Sequence, residues 1–255
     1  MQRADRESAP KGESLLFPMM VLLAAMLAGI AMLATVDRLL APAALPLHNV
    51  RFEGEFRRVS EAELGSAVRS AVGHNFLLLD LDAVKQKVES LPWVYRASVR
   101  RAWPRDLHVE FLEQQIVAHW GEHGWVNHAG ESVSLPRATD LPKDMPWLHG
   151  PEGTSATVLA EYQQLAPIFA AQGLSLERLT LTPRRSWQLS VLDVRTSSRF
   201  TLVLDRFESA RKAERFARSY AQTLAARVAE IRQVDLRYAN GFAVQWRTTT
   251  QPNGG

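Results

Sequence analysis

From Leu15 to Val36 the chain reads LLFPMMVLLAAMLAGIAMLATV, a run with no charge and with Thr35 as its only strongly polar side chain. At about 1.5 Å per residue such a helix is roughly 33 Å long. A bilayer hydrocarbon core is about 30 Å thick, so the run can span it with little tilt. Lipid offers no partner to a free N–H or C=O, so a spanning segment has to be helical. Pro18 falls in the first turn, where its missing N–H costs little, and Gly29 is tolerated in such helices. A secretory signal has a shorter apolar region and a small-residue cleavage site, and a buried core helix is rarely so uniformly apolar. The run therefore reads as a single-pass anchor. Arg3, Arg6 and Lys11 precede it, among Asp5, Glu7 and Glu13, while Arg38 and Arg51 follow. That charge bias is too slight to orient it.

The remainder of the 255 residues suffices for one large domain or two small ones. With no cysteine, a disulfide framework and a thiolate metal site are both excluded. The formal charge of +3 is modest, and arginines alternate with acids. A nucleic-acid reader usually concentrates its basic residues on one face. The expected organisation is a tail at 1–14, the anchor at 15–36, a linker at 37–46, a first domain at 47–115, a second at 116–248 and a disordered tail at 249–255.

The first domain opens with Asn49 to Glu53, whose alternation reads as a strand ending at Gly54. Ser60 and Glu63 have capping-box spacing. Behind them Leu64, Ala67, Val68, Ala71 and Val72 make one apolar helical stripe, and Gly73 is the expected stop. Asp80 can cap a second helix with the stripe Leu81, Val84 and Val88, ended by Pro92. Two alternating strands follow, Val94 to Arg100 and Leu107 to Leu112, joined through Trp103-Pro104-Arg105-Asp106. The order β-α-α-β-β predicts an α+β fold with helices on one face of a small sheet.

The second domain is strand-rich with two helices. Short strands are expected at Ile116 to Trp120 and Trp125 to Asn127, with a return at Ser132 to Leu135. Thr154 can cap a helix with the stripe Val158, Tyr162, Leu165 and Phe169, stopped by Gly173. Leu174 to Leu181, Trp187 to Val191 and Arg199 to Leu204 read as an antiparallel meander. A helix from about Phe207 to Val228 carries the stripe Ala213, Phe216, Ala217, Tyr220 and Leu224. The last strands are Ile231 to Tyr238 and Phe242 to Trp246, and Asn240-Gly241 between them is a hairpin signal because both tolerate positive φ.

Reactive chemistry is sparse. His119, His123 and His128 cluster in sequence, but a zinc site needs more ligands and a rigid frame, and solvated histidines among aromatics are the plainer expectation. Glu161 and Asp205 form no recognisable carboxylate pair. No nucleophile elbow or phosphate-cradling glycine loop is present. No catalytic residue, metal or cofactor is expected.

Several segments together resemble a known family. They are Leu91-Pro92-Trp93-Val94, Val99-Arg100-Arg101-Ala102-Trp103-Pro104 with Leu107, and Glu113 with Val117, Ala118 and Trp120. Arg184-Arg185-Ser186-Trp187 and Val234 to Tyr238, with Asn240-Gly241, Ala243, Val244 and Trp246, extend the pattern. In this order, behind an anchor, they resemble the FtsQ family of bacterial cell-division proteins, whose first domain is a POTRA domain. Ile116 stands where that family usually has proline, Asp205 where it often has glycine, and the turn from Asp193 to Ser198 is atypical.

The resemblance implies a non-catalytic scaffold of the division machinery in the inner membrane, at the septum. Residues 1–14 would be cytoplasmic and the folded body periplasmic, the single-pass type II arrangement. It implies binding of FtsB-like and FtsL-like partners, with further partners possible through the POTRA domain. Carried over by motif, the binding residues are Arg185, Arg237, Tyr238, Gly241 and Trp246, the two arginines pairing with acidic partner groups. The last strand would recruit its partner by strand addition to a sheet edge. Read from the residues alone, Tyr238 and Trp246 could equally fill the core, and Gly241 could be a turn requirement. The competing functions are a POTRA-bearing assembly or transport factor and an anchored wall hydrolase.

Overall fold

The computed structural model describes residues 16–40, 46–72, 75–136 and 141–247. Leu15, the helix stop at Gly73 and the tails at 1–14 and 249–255 lie outside the described residues.

Helix α1 spans Leu16–Leu40. Within Phe17–Arg38 an 18-residue window has a mean hydropathy of 2.4, and none of that window is buried. It is long and apolar enough to cross a membrane. Thr35 Oγ1 donates to the carbonyl of Ala31 at 2.7 Å, so the one hydroxyl of the apolar run is satisfied within the helix. The helix continues past Val36 through Asp37 and Arg38, because backbone hydrogen bonding does not stop where apolar character stops.

The first unit contains β1 (Asn49–Glu53), α2 (Glu61–Ala71), α3 (Leu81–Glu89), β2 (Val94–Ala102) and β3 (Asp106–Glu113). The sheet order is β1-β3-β2, with β1 parallel to β3. Parallel pairing needs a long crossover, which the two helices and β2 provide. The box at the start of α2 forms as expected: Ser60 Oγ accepts from the Glu63 amide, and Glu63 reaches back to the Ser60 amide. Asp80 Oδ1 accepts from the amides of Asp82 and Ala83, capping α3. The buried stripes Leu64 and Val68, Val84 and Val88, and Leu107, Val109 and Phe111 supply the core. Arg101 donates to the carbonyls of Phe76, Leu77 and Leu79, the last at 2.6 Å. That explains a basic residue in β2 beside an irregular link whose carbonyls need donors.

At the end of β3, Glu113 Oε1 accepts from three consecutive amides, those of Arg57, Arg58 and Val59, at 3.0, 2.8 and 2.8 Å. The loop before α2 has no strand partner, and this one carboxylate oxygen satisfies its donors.

The second unit holds β4 (Ile116–Trp120), β5 (Gly124–Asn127), β6 (Ser132–Val133), β7 (Trp147–His149), α4 (Ser155–Ala170), β8 (Leu174–Leu181), β9 (Trp187–Asp193), β10 (Ser198–Leu204), α5 (Ser209–Thr223), a 3₁₀ segment (Ala225–Glu230), β11 (Ile231–Asp235) and β12 (Ala243–Trp246). Its nine-stranded sheet runs β12-β11-β10-β9-β8-β7-β4-β5-β6. The meander β8-β9-β10 is antiparallel as expected. Joins β4/β7, β7/β8 and β10/β11 are parallel.

Leu165 and Phe169 of α4 and Ala213, Phe216 and Tyr220 of α5 are fully buried in one core with Leu179, Leu189, Val191, Leu202 and Leu204 of the meander. Losing a ring such as Phe216 from it costs about 3–5 kcal/mol. Thr154 stands at the N-cap of α4 without capping it: its hydroxyl donates to the carbonyl of Pro151 instead. Helix α5 is shorter than its stripe suggests. Thr223 Oγ1 bonds back to Ser219, and the tighter 3₁₀ turn after it carries Val228 into the core and leads directly into β11.

The turn after β9 is organised by Asp193. Its Oδ1 accepts from the amides of Arg195 and Thr196, and its Oδ2 accepts a 2.5 Å bond from the Tyr220 hydroxyl. Burial alone would raise this carboxyl. The Tyr220 hydroxyl, the two amides and the Arg195 charge outweigh burial and hold it below its ordinary value. Burial first, then Asp193, pushes the Tyr220 phenol well up.

Candidate partner-binding edge

The sheet ends at β12, which pairs with β11 alone. Its outward backbone groups have no strand partner among the described residues, and three of its four side chains are exposed. Such a row of N–H and C=O groups is a template for another chain.

Register places the site residues. Asp235 of β11 faces Val203 of β10, which faces Gln188 of β9, which faces Thr180 of β8. The β8–β9 turn and the segment 236–242 therefore project from the same end of the sheet. Arg185 sits in that turn, Arg237, Tyr238 and Gly241 in that segment, roughly 10 Å apart across two strand spacings. Trp246 faces Ile231, at the opposite end of β12. The structure thus brings four of the five expected residues to one end and leaves Trp246 at the other.

Each has a distinct environment. Arg185 is exposed and left-handed, with φ of 58°, and its amide donates to the carbonyl of Thr182. Arg237 is already paired: its guanidinium meets both carboxylate oxygens of Asp235, with Nη2 to Oδ2 at 2.6 Å and Nε to Oδ1 at 2.9 Å. That contact is the main reason the Asp235 carboxyl lies below its ordinary range. An acidic partner group at Arg237 has to compete with Asp235. Tyr238 is 57% exposed and belongs to no core cluster. Trp246 is 38% exposed, with the Arg227 guanidinium 4.3 Å from its ring centroid. Neither aromatic fills the core.

The Asn-Gly hairpin does not form as its residues suggest. The strands stop at Asp235 and resume at Ala243, and neither Asn240 nor Gly241 is left-handed. A Cβ on Gly241 would meet nothing within 4 Å. The segment is instead held from α5. Lys212 Nζ reaches Asp205 Oδ2 at 2.6 Å and the Arg237 carbonyl at 3.3 Å. Arg215 donates to the carbonyls of Ala239 and Tyr238 at 2.7 and 3.4 Å. Arg247 closes the other end of β12, donating to Ile231 and, at 2.6 Å, to Arg199. These three residues escape motif reasoning. The only sequence trace is the i, i+3 spacing of Lys212 and Arg215, which places them on one helix face.

The three histidines do not share a site. His119 stacks on Trp147 at 3.9 Å and 4°, His128 meets Tyr95 edge-on, and His123 is exposed beside Glu122. Trp125, His119, Trp147 and Arg178 are register partners in one row across β5, β4, β7 and β8. Burial, then the Arg178 charge, keeps His119 below its ordinary value.

The chain is 36% identical over 202 residues to the cell division protein FtsQ of Shewanella oneidensis, covering 79% of this chain and 74% of that protein. The chain belongs to the FtsQ family. FtsQ of Coxiella burnetii is 31% identical over 88% of this chain and 89% of its own length. FtsQ of Xanthomonas campestris is 34% identical over 82% of this chain and 73% of its own. Residues 45–114 match the POTRA domain of FtsQ type, and 118–237 match the C-terminal domain of cell division protein FtsQ/DivIB. Family membership bears out the α+β fold: an apolar N-terminal helix, a POTRA domain and a strand-rich domain with helices. Arg185 and Arg237 fall inside the FtsQ/DivIB match, while Tyr238, Gly241 and Trp246 lie just beyond it.

Proposed function

We propose that this FtsQ-family chain is a non-catalytic adaptor of the division machinery. It sits at the septum in the inner membrane, with its N-terminal tail cytoplasmic and its folded body periplasmic. It binds an FtsB-like strand along β12, within an FtsB/FtsL-like complex. The observation that carries this is the free edge of β12 beside the exposed Tyr238, at the end where the Arg185 turn projects. Strand addition takes its affinity from main-chain hydrogen bonds and its selectivity from side chains at the rim, and a half-exposed tyrosine is a residue type that dominates such contacts.

The test is co-purification of the full chain with FtsB-like and FtsL-like partners, comparing Tyr238→Ala with the unchanged protein. Tyr238 is outside the core, so the variant is expected to keep its thermal midpoint and to lose at least about tenfold in affinity, as a contact residue does. Equal affinity for both forms would remove Tyr238 from the interface. Cleavage of peptidoglycan by the purified chain would overturn the non-catalytic reading.

A further inference from the structure

On the POTRA sheet, away from β12, three side chains converge. Glu53 ends β1 and is the register partner of Glu110 on β3, with His108 two residues earlier on the same face. His108 is 7% exposed. Its Nε2 lies 3.0 Å from Glu53 Oε2 and 3.2 Å from Glu110 Oε1. Yet that buried nitrogen has no hydrogen-bond partner, because neither oxygen lies along its bonding direction. The potential ligand atoms all fall within 4.8 Å of one another.

A buried ring nitrogen 3.0 and 3.2 Å from two carboxylate oxygens, yet hydrogen-bonded to neither, suits a shared cation better than an N–H. Metal bonds of about 2.0–2.2 Å place neighbouring ligand atoms about 3.0–3.5 Å apart in tetrahedral or octahedral geometry. The observed 3.0 and 3.2 Å nitrogen–oxygen separations fall in that range. One imidazole and two carboxylates favour a borderline divalent ion such as Zn²⁺ over the harder Ca²⁺ or Mg²⁺. Arg100 Nε, 3.6 Å from Glu110 Oε1, is the nearest competing cation; it is exposed and free to swing away. Arg51, the register partner of His108, is also exposed.

We infer that Glu53, His108 and Glu110 form a divalent-cation site that staples the edge strand β1 to the central strand β3. The site leaves the remaining coordination positions to water.

The test is titration of the untagged full chain in detergent with Zn²⁺, followed by calorimetry and by amide exchange. Glu53→Gln and Glu110→Gln are the variants, with His123→Ala as a control for exposed histidines. The Glu53 side chain is 68% exposed, so its variant folds even if a change at His108 does not. The expected result is one Zn²⁺ per chain, affinity reduced about tenfold or more in both glutamine variants and unchanged in the control, as loss of a ligand requires. Zn²⁺ should also slow amide exchange across residues 49–53 in the unchanged chain alone. No saturable binding, or equal binding by Glu53→Gln and His123→Ala, would overturn the site.

Discussion

Lys212 Nζ lies 2.6 Å from Oδ2 of Asp205, and the lysine side chain is almost wholly buried. The same ammonium holds the Arg237 carbonyl, so one buried charge fixes both the end of β10 and the approach to β12. Replacing Lys212 by methionine leaves Asp205 without its cation and frees the Arg237 carbonyl. The expected loss is about 1–3 kcal/mol in chemical denaturation. Faster amide exchange at 236–242 is expected as well, and partner affinity should fall because the binding end is no longer positioned.

Tyr220→Phe removes the hydroxyl bonded to Asp193 and should cost about 1–2 kcal/mol at neutral pH. The folded chain holds Asp193 below its ordinary value. Its contribution is therefore complete above the unfolded carboxyl value and disappears as pH falls through the folded one. In Tyr220→Phe the folded value moves back up, so the acid loss of stability should be shallower. The limb does not flatten entirely, because Arg237 and Arg227 hold Asp235 and Glu230 down independently. Urea midpoints measured from pH 7 down to pH 3 on both proteins check this.

Two glycines should respond oppositely to alanine. Gly241 is not left-handed and has open space for a Cβ, so Gly241→Ala should be neutral or stabilising by up to about 1 kcal/mol. Gly130 has φ of +81° and a Cβ there would lie 2.7 Å from the Ala156 Cα. Gly130→Ala should cost at least about 1–2 kcal/mol from backbone conformation alone. Thermal midpoints of the pair separate the cases.

Glu113→Ala orphans the amides of Arg57, Arg58 and Val59 together, and the expected cost is about 2–3 kcal/mol. Glu113→Gln keeps an acceptor oxygen and should recover part of it. Denaturation curves of the two variants measure the difference.

Local signals were readable where local interactions decide. Ser60 and Glu63 are three residues apart and cap each other, and the stripe from Ala213 to Leu224 is buried along its length. The same stripe did not show where α5 stops, because the 3₁₀ turn after it keeps Leu224 and Val228 in the same core and so prolongs the apolar pattern. Asn240-Gly241 misleads for a different reason: Lys212 and Arg215 hold the carbonyls around it, and those contacts override turn preference. Tyr238 and Trp246 could not be assigned to core or surface without knowing that β12 is an edge. The grouping of Glu53 with His108 and Glu110 depends on a parallel register between strands more than fifty residues apart in the chain, which no local pattern encodes. Arg185 and Arg237 were named from the family resemblance, but only the register shows them at one end of the sheet.

The two borders of the nine-stranded sheet are unequal. One is β12, four residues long; the other is β6, with two. Two residues offer too few main-chain groups to seat a guest strand. Under the proposed strand addition, this sheet therefore has one border with room for a guest, and a ribbon growing through both borders is disfavoured. A second guest strand on this chain would have to find another surface, such as a border of the three-stranded sheet.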